Sequence, residues 1–417
     1  MSSASPGRQP LPLEGVRVLE LSHIVAGPSG GLILGDLGAD VIKIEHPDAG
    51  DTARSNSGTG STFYSFNRNK KYLALDLGKP EGKKIFEQLV AKSDVVFDNF
   101  APGALRRLGL DYEWGRKVNR RIIYCSIKGF LPGPYEDRPF LDELAQMAGG
   151  LAYLTGLKDQ PMRAGASITD IGAATYGITG ILAALYRRER TGEGDCIQAG
   201  LYETIVFWVS QYITTVQLTG ENPQPRGGRT STMGTYMGWG VYQLFPTRSG
   251  KQIFIAVTGN RHWAGLCDAL GFDDWKHSAE FNSNRKRGER KPLIAERIKE
   301  TVEKLDYDDV AERLYKALVP YCPVNTPLDL VEERQMNEGR RWMHIKVGDE
   351  RFKLPKIPVD MRRTADFEVR EQPGCLGKHT DAILESLGYS AAEIERLKAE
   401  RVVRRSDQML NTEKREA

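Results

Sequence analysis

The sequence predicts an α/β protein: a large domain on a parallel sheet, plus a smaller α+β domain. Three observations carry that expectation. Short β-branched apolar runs alternate with helical stretches at the N-terminal end. The segment 219–238 loses its hydrophobic period and fills with Gly, Pro, Thr and Arg. Beyond it, a strand pair is followed by helices, so the alternation does not resume.

Val16 to Leu21 is the first short apolar run and reads as a buried strand. A small-residue turn follows, Val25-Ala26-Gly27-Pro28-Ser29-Gly30-Gly31, then a short helical stretch ending at Gly38 and a strand from Asp40 to Glu45. Strand, turn, helix and strand in about thirty residues make a right-handed βαβ unit. The pattern repeats, with strands at Tyr72–Leu77, Asp94–Asp98 and Arg121–Ile127 and a helix at Pro80–Lys92 that has Pro in its first turn. These alternations predict a Rossmann-like, doubly wound large domain. Ile171–Arg190 reads as a long helix stopped at Thr191-Gly192-Glu193-Gly194, before a strand at Cys196–Ala199 and a helix to Leu218. Trp239–Val257 reads as two strands around Thr247-Arg248-Ser249-Gly250, with helices at 261–270, 293–305 and 307–318. The expected organisation is a large domain over 1–218, a linker or loop over 219–238, a small α+β domain over 239–330, and a return to the large domain over 331–417. That return carries a helix at Asp381–Arg401 and a charged tail from Arg404.

Composition narrows the function. Lys plus Arg is 58 and Asp plus Glu is 55, a net charge of +3, which lacks the basic excess of a nucleic-acid surface. Five cysteines and six histidines lie scattered, with no CxxC and no HxxxH, so neither a disulfide framework nor a metal site is expected. The first twelve residues are polar and proline-punctuated rather than signal-like, and no run approaches 18 apolar residues. A cytoplasmic protein without a membrane span is the expectation.

Asp170, at the head of the long helix, is the candidate nucleophile. Read locally, an Asp before an apolar helical run is a helix cap. A helix N-terminus also favours the ionised carboxylate, and Gly165, Ala166 and Gly172 leave room for a bulky thioester. Such a carboxylate can attack a thioester to form a mixed anhydride. Local sequence allows either role.

A chain-long pattern favours the second. Leu13-Glu14-Gly15-Val16-Arg17-Val18-Leu19, Ala26-Gly27-Pro28 and the run Leu37 to Glu45 open it. Asn67-Arg68-Asn69-Lys70-Lys71, Asn99-Phe100-Ala101-Pro102-Gly103, Arg187 to Gly194 and Leu376-Gly377-Lys378-His379-Thr380 continue it. In this order and spacing, from about Leu11 to Val403, the chain resembles the family III CoA transferases. The resemblance implies an interlocked dimer of this chain, or a pairing with a related subunit. It implies acyl-CoA and a free carboxylic acid as substrates, CoA thioesters in place of any permanently bound cofactor, and Asp170 as the carboxylate that forms the anhydride and then an enzyme–CoA thioester. It places CoA at Val25, Ala26, His46, Leu75, Asn99, Phe100 and Arg107. His46 stands where the oxalate enzyme carries an arginine, which moves the expected phosphate contact toward Arg107 or Lys70. Asp142 matches an acidic residue beside the nucleophile, although a local capping role explains it equally, and Gln146 lies one helical turn beyond. The mobile glycine-rich loop falls on 226–238, including Gly234 and Tyr236; a plain linker is the competing reading.

Two other functions fit part of this pattern. An α-methylacyl-CoA racemase shares the fold and the aspartate, but places a histidine before the position matching Asp142; here Phe140-Leu141 stands there. A partner subunit of a hetero-oligomeric transferase is the third reading, and the presence of Asp170 counts against a silent one. For the acceptor, Arg163, Arg226, Arg229 and Arg261 suit a dicarboxylate. Tyr236 and Trp239 suit a substituted succinate such as benzylsuccinate, with succinyl-CoA as donor.

Overall fold

The computed structural model describes residues 9–55, 59–157, 159–225 and 239–407. These form two compact units: the described residues through 225 together with those from 340 onward, and the described residues 239–339.

The first unit is built on six parallel strands, β1 (Arg17–Leu21), β2 (Asp40–Glu45), β3 (Lys70–Leu75), β4 (Val95–Asp98), β5 (Ile123–Lys128) and β6 (Cys196–Gly200). Their order across the sheet is 3-2-1-4-5-6, with Val403–Arg404 added antiparallel on the outer edge of β3. Strand order reverses between β1 and β4, which defines a switch point. Alternation along the strands feeds two cores. Leu19, Leu21, Ile42, Ile44, Leu73 and Val96 pack against the helix Pro80–Ala91 through Ile85, Phe86 and Leu89. Val18, Val41, Val95, Phe97, Ile123, Cys125 and Ile127 face the helix Ile168–Thr191 through Ala173, Ile178, Ile181 and Ala184. Fully burying each large apolar side chain here stabilises the fold by about 1.5–3 kcal/mol.

The small residues expected to form a turn are instead helical: Ala26–Asp36 is a continuous helix, almost all of it buried. Packing explains the difference. A Cβ on Gly30 would lie 2.5 Å from the Phe97 ring, and one on Gly31 would lie 1.7 Å from Glu20 Oε2. Glycine costs a helix about 1 kcal/mol relative to Ala, and here it lets the helix lie flat on the sheet. Beneath it sits a buried ionic network. Lys43 Nζ lies 3.1 Å from Glu20 Oε1 and 2.9 Å from Asp51 Oδ2, and Lys70 Nζ lies 2.8 Å from Glu20 Oε2.

The helix Ile168–Thr191 is long and apolar enough to cross a membrane by length and composition, a property the sequence reading did not anticipate because its small residues break every apolar run. Gly172, Ala173, Ala174, Gly177 and Ile178 form its buried face. The C-terminal stretch expected as one helix is two, Thr380–Ser386 and Ala391–Ala399, because Gly388 turns with φ +95° and Ser390 with Glu393 forms a new capping box. A hairpin, Trp342–Val347 with Glu350–Pro355, lies within the return to the large domain, ahead of the C-terminal helices.

The second unit has an antiparallel sheet of β7 (Val241–Pro246), β8 (Gln252–Val257) and β9 (Tyr321–Pro323). Trp263, Trp275, Phe281, Ile294, Ile298, Val310 and Leu314 fill its core. The helices Asn260–Leu270, Lys291–Val302 and Tyr307–Lys316 supply most of them.

Candidate active site

The long helix carries Asp170 to the carboxyl edge of the sheet. Near its C-terminal end, Arg188 bonds Asp94 Oδ1 at 2.9 Å and the Arg121 carbonyl at 3.1 Å, at the amino ends of β4 and β5. Gly177 lies against Cys125 and Ile127, farther along β5. The helix therefore runs antiparallel to the strands, and seven more residues at about 1.5 Å rise carry Asp170 roughly 10 Å toward the carboxyl ends.

Asp170 is the third residue of that helix, not its cap. Ser167 occupies the cap position without a side-chain hydrogen bond. The capping acceptor comes from another helix, Asp142–Ala148: Asp142 Oδ1 accepts the backbone N–H groups of Thr169 at 2.8 Å and Asp170 at 3.2 Å. Gln146 Nε2 donates to Asp142 Oδ2 at 2.7 Å, and Gln146 Oε1 accepts from the Ala164 N–H at 2.8 Å. Gln146 is fully buried, so it fixes both the carboxylate and the chain that leads into the long helix.

This arrangement corrects the expectation that the helix terminus keeps Asp170 readily ionised. Its first N–H groups point at Asp142, and no described residue donates to the Asp170 carboxylate. Burial, followed by the charge of Asp142, pushes the Asp170 carboxyl up to about 7. The result is a half-buried, accessible carboxylate of raised basicity, the character a nucleophile needs. Leu141, before Asp142, is 69% exposed.

The positions expected to hold CoA also follow the carboxyl ends of the strands, on both sides of the switch point. Val25 precedes the first helix and Ala26 begins it, both buried. Asn99 and Phe100 follow β4. Asn99 Oδ1 accepts the His23 N–H at 2.9 Å, while Asn99 Nδ2 donates to the His23 carbonyl at 3.0 Å. The Phe100 ring stacks on His23 with centroids 5.4 Å apart. His46 follows β2, with Nε2 3.9 Å from Asp76 Oδ1. Leu75 ends β3 with its side chain in the core, so only its backbone faces the edge. Arg107 Nη1 donates to the Pro102 carbonyl at 3.0 Å. Gly234 and Tyr236 lie outside the described residues, as do Arg226, Arg229 and the rest of 226–238.

Several residues at this edge escaped sequence reading. Lys128, ending β5, donates to Asp98 Oδ1 at 3.4 Å and to the Phe100 carbonyl at 3.3 Å, and thereby fixes the loop after β4. A polar residue closing an apolar strand was the available signal. A cavity of about 430 Å³ is lined by Ser126, Lys128, Tyr124, Arg106 and Cys196, and neither Asp170 nor Asp142 reaches it. Asp51 accepts the Ile24 N–H at 3.0 Å, although 27 residues separate the two. Among the described residues, no three His, Cys, Asp or Glu side chains cluster as a metal site.

Comparison with known proteins shows the family of the chain. The model for CoA-transferase family III matches residues 13–380. The chain is 31% identical over 404 residues to the succinyl-CoA–L-malate CoA-transferase beta subunit of Chloroflexus aurantiacus, covering 94% of this chain and 98% of that one. It is 34% identical over 407 residues to the succinyl-CoA:glutarate CoA-transferase of Homo sapiens, covering 94% and 90%. A CAIB/BAIF family protein from Brucella suis superimposes with a TM-score of 0.78 at 31% identity, over 91% of this chain and all of that one.

Proposed function

The chain belongs to CoA-transferase family III, and from that premise we propose that it moves CoA from succinyl-CoA to a C4 or C5 dicarboxylate through covalent catalysis at Asp170. The observation that carries the nucleophile is its accessible carboxylate, pushed up to about 7, on a helix whose terminal N–H groups are already taken by Asp142.

In the first step, Asp170 attacks the thioester carbonyl of succinyl-CoA, the C–S bond breaks, and a succinyl–aspartyl anhydride and CoA thiolate result. The thiolate then attacks the aspartyl carbonyl and releases succinate, leaving Asp170 as a CoA thioester. The acceptor carboxylate attacks that thioester to give a second anhydride and thiolate. Attack of this thiolate on the acceptor carbonyl forms the new acyl-CoA and regenerates the Asp170 carboxylate. Each step exchanges one acyl bond for another, so no external oxidant or proton source is required.

The malate and glutarate in the relatives' names support a dicarboxylate acceptor. A substituted succinate such as benzylsuccinate is the second class to assay. Val25, Ala26, His46, Asn99, Phe100 and Arg107 form the proposed CoA edge, for which their common place beside the switch point speaks. We further propose assembly as an interlocked dimer or with a related subunit, since Phe207, Trp208, Ile213 and Leu218 present exposed apolar surface on consecutive helices. The test incubates the purified chain with succinyl-CoA and a panel of free acids and looks for new thioesters. Asp170→Ala is expected to abolish transfer while CoA binding persists. Transfer by the variant, or exchange of the α-proton of a 2-methylacyl-CoA without any transfer, overturns the reading.

A further inference from the structure

Ile24 lies between β1 and the first helix with φ +65°, the one β-branched residue with positive φ among those described. That conformation is unfavourable for a side chain branched at Cβ and persists only where the surroundings impose it. Three hydrogen bonds do so. The Ile24 N–H enters Asp51 Oδ1 at 3.0 Å, and Asn99 holds the preceding His23 through both its N–H and its carbonyl. Asp51 is 1% exposed and is gripped from behind by Lys43. Lys43 is anchored in turn by Glu20 and by the Ser22 carbonyl at 2.9 Å. A buried ionic network of this kind is seldom more stabilising than apolar packing. The strained turn leads directly into Val25 and Ala26, and the Ile24 side chain is 42% exposed beside the His23–Phe100 stack.

We propose that Asp51, held by Lys43, is a positioning residue that keeps Ile24 left-handed and so holds the turn Ile24–Ala26 in the shape that receives the nucleotide end of CoA. This deepens the reading that CoA binds at the switch point, and it rests on that reading. Asp51 touches no reacting atom, so its loss acts on CoA affinity and not on the chemical steps. If removing the acceptor lowers the left-handed population about tenfold, the apparent affinity falls by the same factor.

The test measures Kd for CoA by calorimetry, and KM and kcat with succinyl-CoA, on the full chain. Asp51→Ala is expected to raise Kd and KM about tenfold, with kcat changed less than twofold. Adding Ile24→Gly, which adopts positive φ without help, is expected to recover at least threefold of the lost affinity. Asp51→Asn keeps an acceptor for Ile24 and is expected to lose no more than about fourfold. If Asp51→Ala does not fold, the comparison is made between Asp51→Asn and its Ile24→Gly double variant. Wild-type affinity in Asp51→Ala overturns the proposal. So does a loss that the glycine leaves uncorrected, since a structural defect elsewhere would not respond to φ at residue 24. Absence of CoA binding by the wild-type chain would instead remove the site reading itself.

Discussion

The substitution Asp142→Asn tests the electrostatics of the nucleophile directly. Asp170 attacks only when ionised, and its carboxyl lies at about 7, raised first by burial and then by Asp142. One pH unit below that value about one carboxylate in ten is charged, so kcat/KM for succinyl-CoA at pH 6 is expected to be about tenfold below its alkaline plateau. The variant's amide retains an oxygen for the Thr169 and Asp170 N–H groups but removes the like charge, so the inflection is expected to move down by about one pH unit, or ~1.4 kcal/mol. It stays above the ordinary carboxyl range because burial, the larger cause, is unchanged. The plateau itself is expected to fall a few-fold. The new amide nitrogen presents a donor to Gln146 Nε2, and turning the Gln146 amide to relieve this would strip the Ala164 N–H of its acceptor. The assay follows exchange of labelled succinate into succinyl-CoA from pH 5.5 to 9. Titration of the substrate phosphates is common to both proteins, so the displacement between profiles is the measurement. Superimposable profiles, or an inflection that moves upward in the variant, would refute the account of Asp170.

Other outcomes follow from the same geometry. Folding favours the protonated form of Asp170, whose folded value lies above the ordinary 3.8; that stability is full below about pH 4 and is lost as pH rises through 7. Asp170→Asn is therefore expected to be more stable than wild type at pH 8 by about 1–2 kcal/mol, partial exposure having reduced the full ~4 kcal/mol, and equal to it at pH 4, as read by denaturant melts. Gly31→Ala places a methyl on the Glu20 carboxylate and should cost about 1–3 kcal/mol by overpacking, measured as a fall in Tm. Lys43→Met leaves Glu20 and Asp51 buried without their shared cation, a loss of about 3–5 kcal/mol in urea unfolding; a variant as stable as wild type would show that the network carries no stabilisation.

Much of this protein was legible in one dimension, because strand alternation and βα spacing are local properties. The strand Asp40–Glu45, the helix from Pro80 and the strand beginning at Cys196 could be read from apolar period and turn residues alone. Sequence order also singled out Asp170, through a chain-long pattern that no short motif carries. Close packing is not local. Ala26–Gly31 looked like a turn because glycine signals turns, yet Phe97 and Glu20, from other strands, make it a helix packed against the sheet. The protonation of Asp170 depended first on its burial and then on Asp142, 28 residues earlier, which takes the helix's free N–H groups for itself. The hold on Ile24 likewise depended on Asp51, which follows β2, and Asn99, which follows β4, brought together only because β1 pairs with both strands. Sequence by itself determined which elements form and which carboxylate to suspect. Tertiary structure decided that carboxylate's charge and the shape of the turn beside it, because hydrogen-bond acceptors and like charges act through space and not along the chain.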